Sequence, residues 1–267
     1  WRSGALVEKK LLKQWFLKIT DYADELLQDL EKLKDWPERV KIMQENWIGK
    51  STGANINFKI KKFENDKLQV FTTRPDTLFG VTYLAISVNH PIIQKISDEK
   101  ILSEIVKLKI YLKEGQLNEK EKNGVQTNLK AINPVNSMEI PIWIASYVLD
   151  DYGTGAVMGV PGHDQRDFEF AKLNLINIKQ VITKNIGDIN GPLENAFTED
   201  GILVDSDDFN GLTNREAKKQ ITKYGEINGW AENKIQYRLR DWLISRQRYW
   251  GCPIPIIKCC NCGSVPV

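Results

Sequence analysis

Apolar positions along this chain change period several times, and each change marks an element. Leu26, Leu27, Leu30 and Leu33 recur at helical spacing with Asp and Lys between them. Trp36-Pro37 interrupts that pattern, and Pro37 can open a new helix at its first turn. That helix carries Val40, Ile42 and Met43 and runs out near Trp47-Ile48-Gly49. From Gly53 the period becomes two. Ala54, Ile56, Phe58 and Ile60 alternate with polar residues, Asn65-Asp66 punctuates, and Leu68, Val70 and Thr72 alternate again, which predicts a hairpin. Residues 84–88 predict a short strand, followed by a helix from Pro91. Lys100 to Lys122 predicts an amphipathic helix with Ile101, Ile105, Leu108 and Leu112 on one face. Its lysines are read as a solvated face. Ile140 to Leu149 is apolar enough for a buried strand, and Gly153 to Gly162 packs glycines around a short apolar core. A helix follows from Asp164, carrying Phe168, Phe170 and Ala171. Asp200-Gly201 marks a turn, and Thr213 is placed to N-cap a helix over Arg215 to Tyr224. Strands dominate the middle and helices the ends, so the expected class is α+β, with junctions near residues 49 and 236.

Composition narrows the functional classes. The chain has 267 residues, 42% hydrophobic and 27% charged, an ordinary globular balance that leaves room for more than one compact unit. No stretch is apolar for the roughly 18 residues a membrane helix needs. With 37 basic and 35 acidic residues the net charge is only +2, so RNA contact would need a local patch. The four cysteines all fall after residue 251, unlike a disulfide scaffold, which favours a reducing, cytoplasmic setting. The chain starts at Trp1 without a leader pattern and stops at Val267 without a tail signal; both ends are expected to continue into a longer protein.

Three segments could carry chemistry. At Thr72-Thr73-Arg74-Pro75-Asp76-Thr77, Pro75 stops the strand and biases Arg74 toward extended geometry. Hydroxyls, a guanidinium and a carboxylate are then held in one short loop, able to bind a ribose, a phosphate or a water. The plainer alternative is that Thr73 or Asp76 caps the next helix while Arg74 pairs with a surface acid. In Gly159 to Asp167 the glycines allow close backbone approach to a ligand. His163, Asp164 and Asp167 lie within about one helical turn. They are too few for a metal site, the only other histidine being His90. The alternative is that the acids complement the helix dipole. The third segment, Cys259-Cys260-Asn261-Cys262-Gly263, contains a C-x-x-C pair, half of a structural zinc site. A phosphate loop, a G-x-G-x-x-G fingerprint and a G-x-S-x-G elbow are all absent from the sequence.

Taken in order, several stretches resemble the leucyl-tRNA synthetases of bacterial and organellar type along essentially the whole chain. Pro37-Glu38-Arg39-Val40 and Asn46-Trp47-Ile48-Gly49-Lys50-Ser51 resemble the start of that family's connective-polypeptide insertion. Thr72-Thr73-Arg74-Pro75-Asp76-Thr77-Leu78-Phe79-Gly80-Val81-Thr82-Tyr83 resembles its threonine-rich editing motif. Asp151 to Met158 and Gly162 to Asp167 resemble the second wall of the editing pocket, and Tyr237 to Gly251 the return into the synthetic domain. The isoleucyl and valyl enzymes share a Gly-His-Asp…Asp stretch, but Pro75-Asp76-Thr77-Leu78-Phe79-Gly80 is the leucyl form.

The resemblance implies a β-barrel-like editing domain over 49–236 with surrounding helices. Split pieces of a class I Rossmann-type catalytic domain would flank it at 1–48 and 237–267. It also implies hydrolysis of the ester of mischarged tRNA(Leu) carrying norvaline, isoleucine or methionine, with leucyl-tRNA spared. A synthetic site separates side chains that differ by a methylene by only about 1–3 kcal/mol, so a second sieve is needed. Asp167 would grip the α-ammonium, and Thr72, Thr73 and Arg74 would place the terminal adenosine or the water. Thr77 would exclude leucine. Asp76, Tyr152, Met158 and His163 would bind substrate and shape the pocket, with Asp164 supporting the loop. Editing would need no cofactor. ATP and magnesium belong to the parent synthetase, expected to be a monomer, whose His-Ile-Gly-His and Lys-Met-Ser-Lys-Ser type motifs are not in this segment. The partners would be the tRNA(Leu) 3′ end and the rest of the synthetase in cis. A rival is a tRNA-binding module without catalysis; a metal-dependent hydrolase would need ligands the sequence does not show.

Overall fold

The computed structural model describes residues 13–61, 63–113, 123–149, 154–185, 187, 192–244 and 256–266. The chain forms two compact units, one from Trp1–Ser51 with Gln236–Val267 and one from Thr52–Ile235.

In the first unit, strand β1 (Phe16–Leu17) precedes helix α1 (Ala23–Asp29), and α2 (Glu38–Ile48) starts directly after Pro37. The leucine pattern read as one helix is thus α1 continued by a 3-10 turn over Leu30–Lys32. Ala23, Ile48 and Leu239 make a small core against Ile19, Leu27 and Tyr237. The Arg238 and Leu239 amides donate to the Ile48 carbonyl, so this core is also pinned through the backbone.

The second unit holds the main sheet. β2 (Lys50–Ile60) and β3 (Phe63–Thr72) form the expected hairpin, with Ala54 opposite Thr72 and Phe58 opposite Leu68. The turn differs from the sequence reading. Ile60 pairs with Phe63, so Asn65-Asp66 lies within β3. Phe63 packs partly against the core, and that apolar contact outweighs the turn preference of Asn-Asp. A 3-10 turn over Pro75–Gly80 leads to β4 (Tyr83–Ile86), and another spans Pro91–Lys95 where a helix was expected. α3 (Glu99–Lys113) buries Ile105 and Leu108; the remainder of the predicted lysine-rich helix, 114–122, falls outside the described residues.

β5 (Gly124–Ile132) and β6 (Glu139–Ala145) follow, then β7 (Ala156–Gly159) and α4 (Gln165–Leu173). Short strands β8 (Ile182–Thr183) and β9 (Ile202–Leu203) pair with each other. α5 (Asn214–Ile227) opens with a complete capping box between Thr213 and Glu216. β10 (Ala231–Tyr237) joins the main sheet, β11 (Trp242–Leu243) pairs with β1, and β12 (Ile256–Cys259) with β13 (Gly263–Pro266).

The sheet path is β10-β2-β5-β6-β4-β7, with β3 attached to β2. β4 and β6 run parallel, whereas the pairs β2–β5, β5–β6 and β4–β7 are antiparallel. The expected α+β class is what the chain adopts. A fully closed ladder is not seen among the described residues. β3 is instead tied to the residues just ahead of β7, the Thr154 hydroxyl donating to the Gln69 carbonyl at 2.5 Å. One apolar cluster, including Ile56, Phe58, Val70, Leu84, Ile142 and Ile144, forms the main core. Ala217 and Ile221 of α5 seal it beside the Pro75–Gly80 turn. No helix among the described residues is long and apolar enough to cross a membrane.

Candidate functional site

β3 ends at Thr72 because Pro75 cannot continue a ladder. The loop that follows is over-determined by its own side chains. Thr72 Oγ1 accepts from the Arg74 amide at 2.9 Å, and Thr77 Oγ1 donates to the Arg74 carbonyl at 2.8 Å. Arg74 Nε lies 3.1 and 3.0 Å from the two Asp76 oxygens. Asp76 is fully buried: burial pushes its carboxyl above the usual range and the Arg74 guanidinium draws it back. Buried Asn133 pins the turn from the side, its Nδ2 donating to the Leu78 carbonyl at 3.0 Å. Arg74 Nη2 is an ion-pair neighbour of Asp76 Oδ2 at 3.0 Å. Yet among the described residues it has no acceptor in hydrogen-bonding geometry.

The facing wall comes from β7 and the start of α4. Asp164 is the N-cap, its carboxylate accepting from the Asp167 amide at 3.0 Å. Asp167 is then held in the first turn, 6% exposed. Its Oδ2 accepts from the Val160 amide at 2.8 Å, and its Oδ1 accepts from the Tyr83 hydroxyl at 3.2 Å. Burial, reinforced by the nearby Asp164 charge, raises its carboxyl to about 7 despite those donors.

His163 is held differently. Nδ1 sits 2.9 Å from the Phe197 carbonyl, while Nε2 takes the Val181 and Ile182 amides at 2.9 and 3.2 Å. That pattern requires a neutral ring with its proton on Nδ1. Burial lowers its pKa to about 4, so His163 ties the loop to β8 and is not free to act as a base.

These two walls enclose one cavity of about 260 Å³, lined by Thr72, Thr73, Arg74, Thr77, Met158, His163, Asp164 and Asp167, with Phe71, Val157 and Val160. The structure therefore brings together eight of the ten residues singled out from sequence. Asp76 stands behind Arg74 and outside the lining. Tyr152 lies outside the described residues. Phe71, Val157 and Val160 were missed as ordinary strand positions, as were the supports Asn133, Tyr83 and Tyr147. The plainer alternative for the first loop does not hold: Arg74 pairs with a buried acid, not a surface one. The glycines also do something other than admit a ligand. A Cβ on Gly159 would come within 2.2 Å of the Tyr83 ring, and one on Gly162 within 2.3 Å of the Lys179 carbonyl. Both serve internal packing.

Among the described residues no three His, Cys, Asp or Glu side chains gather closely enough to hold a metal. Cys259 and Cys262 sit at the β12–β13 turn, exposed, with the Cys259 thiol accepting from the Cys262 and Asn261 amides, which holds its pKa below the usual range. The turn presents two sulfur ligands, half of a structural zinc set. Cys252 lies outside the described residues.

Comparisons with known proteins place the chain in a family. A family model described as "Leucyl-tRNA synthetase, editing domain" matches residues 45–226. The whole chain is 75% identical to part of the leucine–tRNA ligase of Prochlorococcus marinus subsp. pastoris (strain CCMP1986 / NIES-2087 / MED4) and 54% identical to that of Acaryochloris marina (strain MBIC 11017). It spans 31% and 32% of their lengths, respectively. A solved ternary complex of Agrobacterium radiobacter K84 LeuRS with tRNA and LeuAMS superposes on the whole chain and on 30% of that protein, with TM-score 0.73 and 37% identity. The chain belongs to the leucyl-tRNA synthetase family and carries that family's editing domain.

Proposed function

We propose that this segment hydrolyses the ester joining norvaline, isoleucine or methionine to tRNA(Leu), and spares leucyl-tRNA. The observation that supports it is the shared cavity. The Asp167 carboxyl, able to take an ammonium, lines the same cavity as the hydroxyl and guanidinium donors of Thr72, Thr73 and Arg74. In this reading Asp167 receives the substrate's α-ammonium through a charge-assisted hydrogen bond. Arg74, whose Nη2 has a spare donor, faces the phosphate or ribose of the terminal nucleotide. Thr72 and Thr73 place the water. Water adds to the ester carbonyl, the acyl–oxygen bond breaks, and the ribose hydroxyl leaves with a proton. An aminoacyl ester is already activated, so positioning can supply much of the rate. His163 holds its loop and takes no proton.

Thr77 sets the size limit. Its hydroxyl is committed to the Arg74 carbonyl, which fixes χ1 and leaves the methyl as the group that meets a γ-branched side chain. Met158 completes the pocket wall. The parent protein would attach leucine to tRNA with ATP and magnesium through domains outside this segment, as a cytoplasmic monomer. The decisive experiment is hydrolysis of norvalyl- against leucyl-tRNA(Leu) by the full-length synthetase carrying this segment. Rapid loss of the first and persistence of the second is the expected result. Persistence of both would instead favour a tRNA-binding module without catalysis.

A further inference from the structure

Asp167 presents its carboxylate to the cavity, yet the oxygen accounting around it extends behind the wall. Tyr83, at the start of β4, is fully buried, and its hydroxyl lies 3.2 Å from Asp167 Oδ1. Tyr147, in the turn after β6, places its hydroxyl 2.9 Å from that of Tyr83 and 3.5 Å from the same Asp167 oxygen. Two hydroxyl protons serve three short contacts. With Asp167 ionised, the arrangement that uses the two shorter distances is Tyr147 donating to Tyr83 and Tyr83 donating to Oδ1. Oδ2 accepts from the Val160 amide and keeps a lone pair for a further donor.

The rings are held independently of these hydroxyls. Tyr83 stacks on Phe170 at 5.3 Å, and Tyr147 meets the same Phe170 edge-on at 5.5 Å. Gly159 lies so close to the Tyr83 ring that any side chain there would displace it. Burial and the Asp167 charge push both tyrosines above their ordinary range, so both remain protonated donors. Apolar packing alone would be served as well by phenylalanine. The hydroxyls are directed at one carboxylate oxygen.

We propose that Tyr83 and Tyr147 are positioning residues for amine recognition, a two-hydroxyl relay that orients the Asp167 carboxylate and favours its charged form for the substrate's α-ammonium. The proposal rests on the reading of Asp167 as the ammonium acceptor. A carboxylate that loses its donor inside a buried wall is turned toward protonation, and a neutral acid is a poor partner for an ammonium.

The test uses the full-length synthetase, two esters of tRNA(Leu) and the variants Tyr83→Phe, Tyr147→Phe and the double variant. One ester is norvalyl-tRNA; the other carries 2-hydroxypentanoate, which has no ammonium. Tyr83→Phe is expected to raise the half-saturating concentration of norvalyl-tRNA about tenfold, the scale of one hydrogen bond to a charged group. Tyr147→Phe should do less, and the double variant little more than Tyr83→Phe, because the two act in series. Hydrolysis of the hydroxy-ester should stay at the unsubstituted enzyme's rate throughout. If Tyr83→Phe and Tyr147→Phe both treat norvalyl-tRNA as the unsubstituted enzyme does, the relay is refuted. Equal slowing of both esters would also refute it, showing a purely structural role. If Tyr83→Phe fails to fold, Tyr147→Phe, in a less buried ring, decides by the same comparison. An unsubstituted enzyme that cleaves neither ester overturns the deacylase reading itself, which is a distinct outcome.

Discussion

Arg74 and Asp76 are bound to each other across two positions of one loop, the guanidinium Nε within 3.1 Å of both carboxylate oxygens and Asp76 with no exposed surface. The pair is asymmetric: the Arg74 side chain keeps 29% exposure while its partner has none. Removing Arg74 would strand a charge among apolar groups. Removing Asp76 instead frees a cation that can reach water. Arg74→Met is therefore expected to cost about 3 kcal/mol, and Asp76→Asn less, about 1–2 kcal/mol, on the scale of broken buried pairs. Urea denaturation of each variant measures this. Equal, small losses below about 0.5 kcal/mol would show that the pair is incidental.

Thr77 allows its two side-chain groups to be separated. Its hydroxyl holds the Arg74 carbonyl and its methyl is the proposed size limit. Thr77→Ser keeps the bond and removes the methyl, while Thr77→Val keeps the bulk and loses the bond. Hydrolysis of leucyl-tRNA should rise roughly tenfold or more in Thr77→Ser and Thr77→Ala, since one methyl-sized difference discriminates by about 1–3 kcal/mol. Thr77→Val should still spare leucyl-tRNA. Leucyl-tRNA surviving all three variants would assign the limit to another residue.

Asp167→Ala removes the proposed ammonium partner and is expected to lower norvalyl-tRNA hydrolysis about 100-fold, the size of a lost charge-assisted hydrogen bond. Far-UV circular dichroism should not change, because Asp164 still caps α4. Retained activity with an unchanged spectrum would take Asp167 out of the site.

Much of this site could be read from sequence because the signals were local. Pro75 ends β3 wherever the chain goes afterward, and Asp164 caps the helix that places Asp167. The period-two alternation of Ala54 to Ile60 and Leu68 to Thr72 fixed which face of the hairpin is buried. That these two loops share a cavity was not written in either of them. It depends on β4 pairing with β7, which sets Leu84 opposite Met158 and brings Val160 toward Asp167. In the sequence that juxtaposition is implied only by the resemblance to a family.

Most of what the sequence leaves unread is non-local. Val125, Leu129 and Ala131 alternate as cleanly as the first hairpin, yet β5 was overlooked beside the lysine-rich stretch before it. The supports of the site, Asn133 on Leu78 and Tyr147 near Asp167, come from 55 and 20 residues away. No spacing rule links such pairs. The two-residue strands β8 and β9 carry too few positions for any period to register.

Two buried groups of the site make opposing contributions to the acid behaviour of the domain. His163 has a pKa near 4 when folded, against 6.5 for a free histidine. Between these values the unfolded chain binds a proton that the folded ring refuses, so stability falls as pH drops from 6.5 toward 4. At about 1.4 kcal/mol per unit that is roughly 3 kcal/mol. Asp167 runs the other way: its folded pKa is raised to about 7 from 3.8, so its contribution is fully present below 3.8 and is lost as pH rises through 7. Over pH 4 to 6.5 the two slopes nearly cancel, and the unsubstituted domain should change little in this window from these groups. Asp167→Asn keeps the shape and removes one slope. That variant should lose about 3 kcal/mol more than the unsubstituted protein when urea midpoints are compared at pH 6.5 and pH 4.5, an upper figure because the window is incomplete. Parallel pH dependence in the two proteins would mean that the Asp167 carboxyl is already ionised across the range, and that the tyrosine hydroxyls behind it stabilise its charge more fully than burial opposes it.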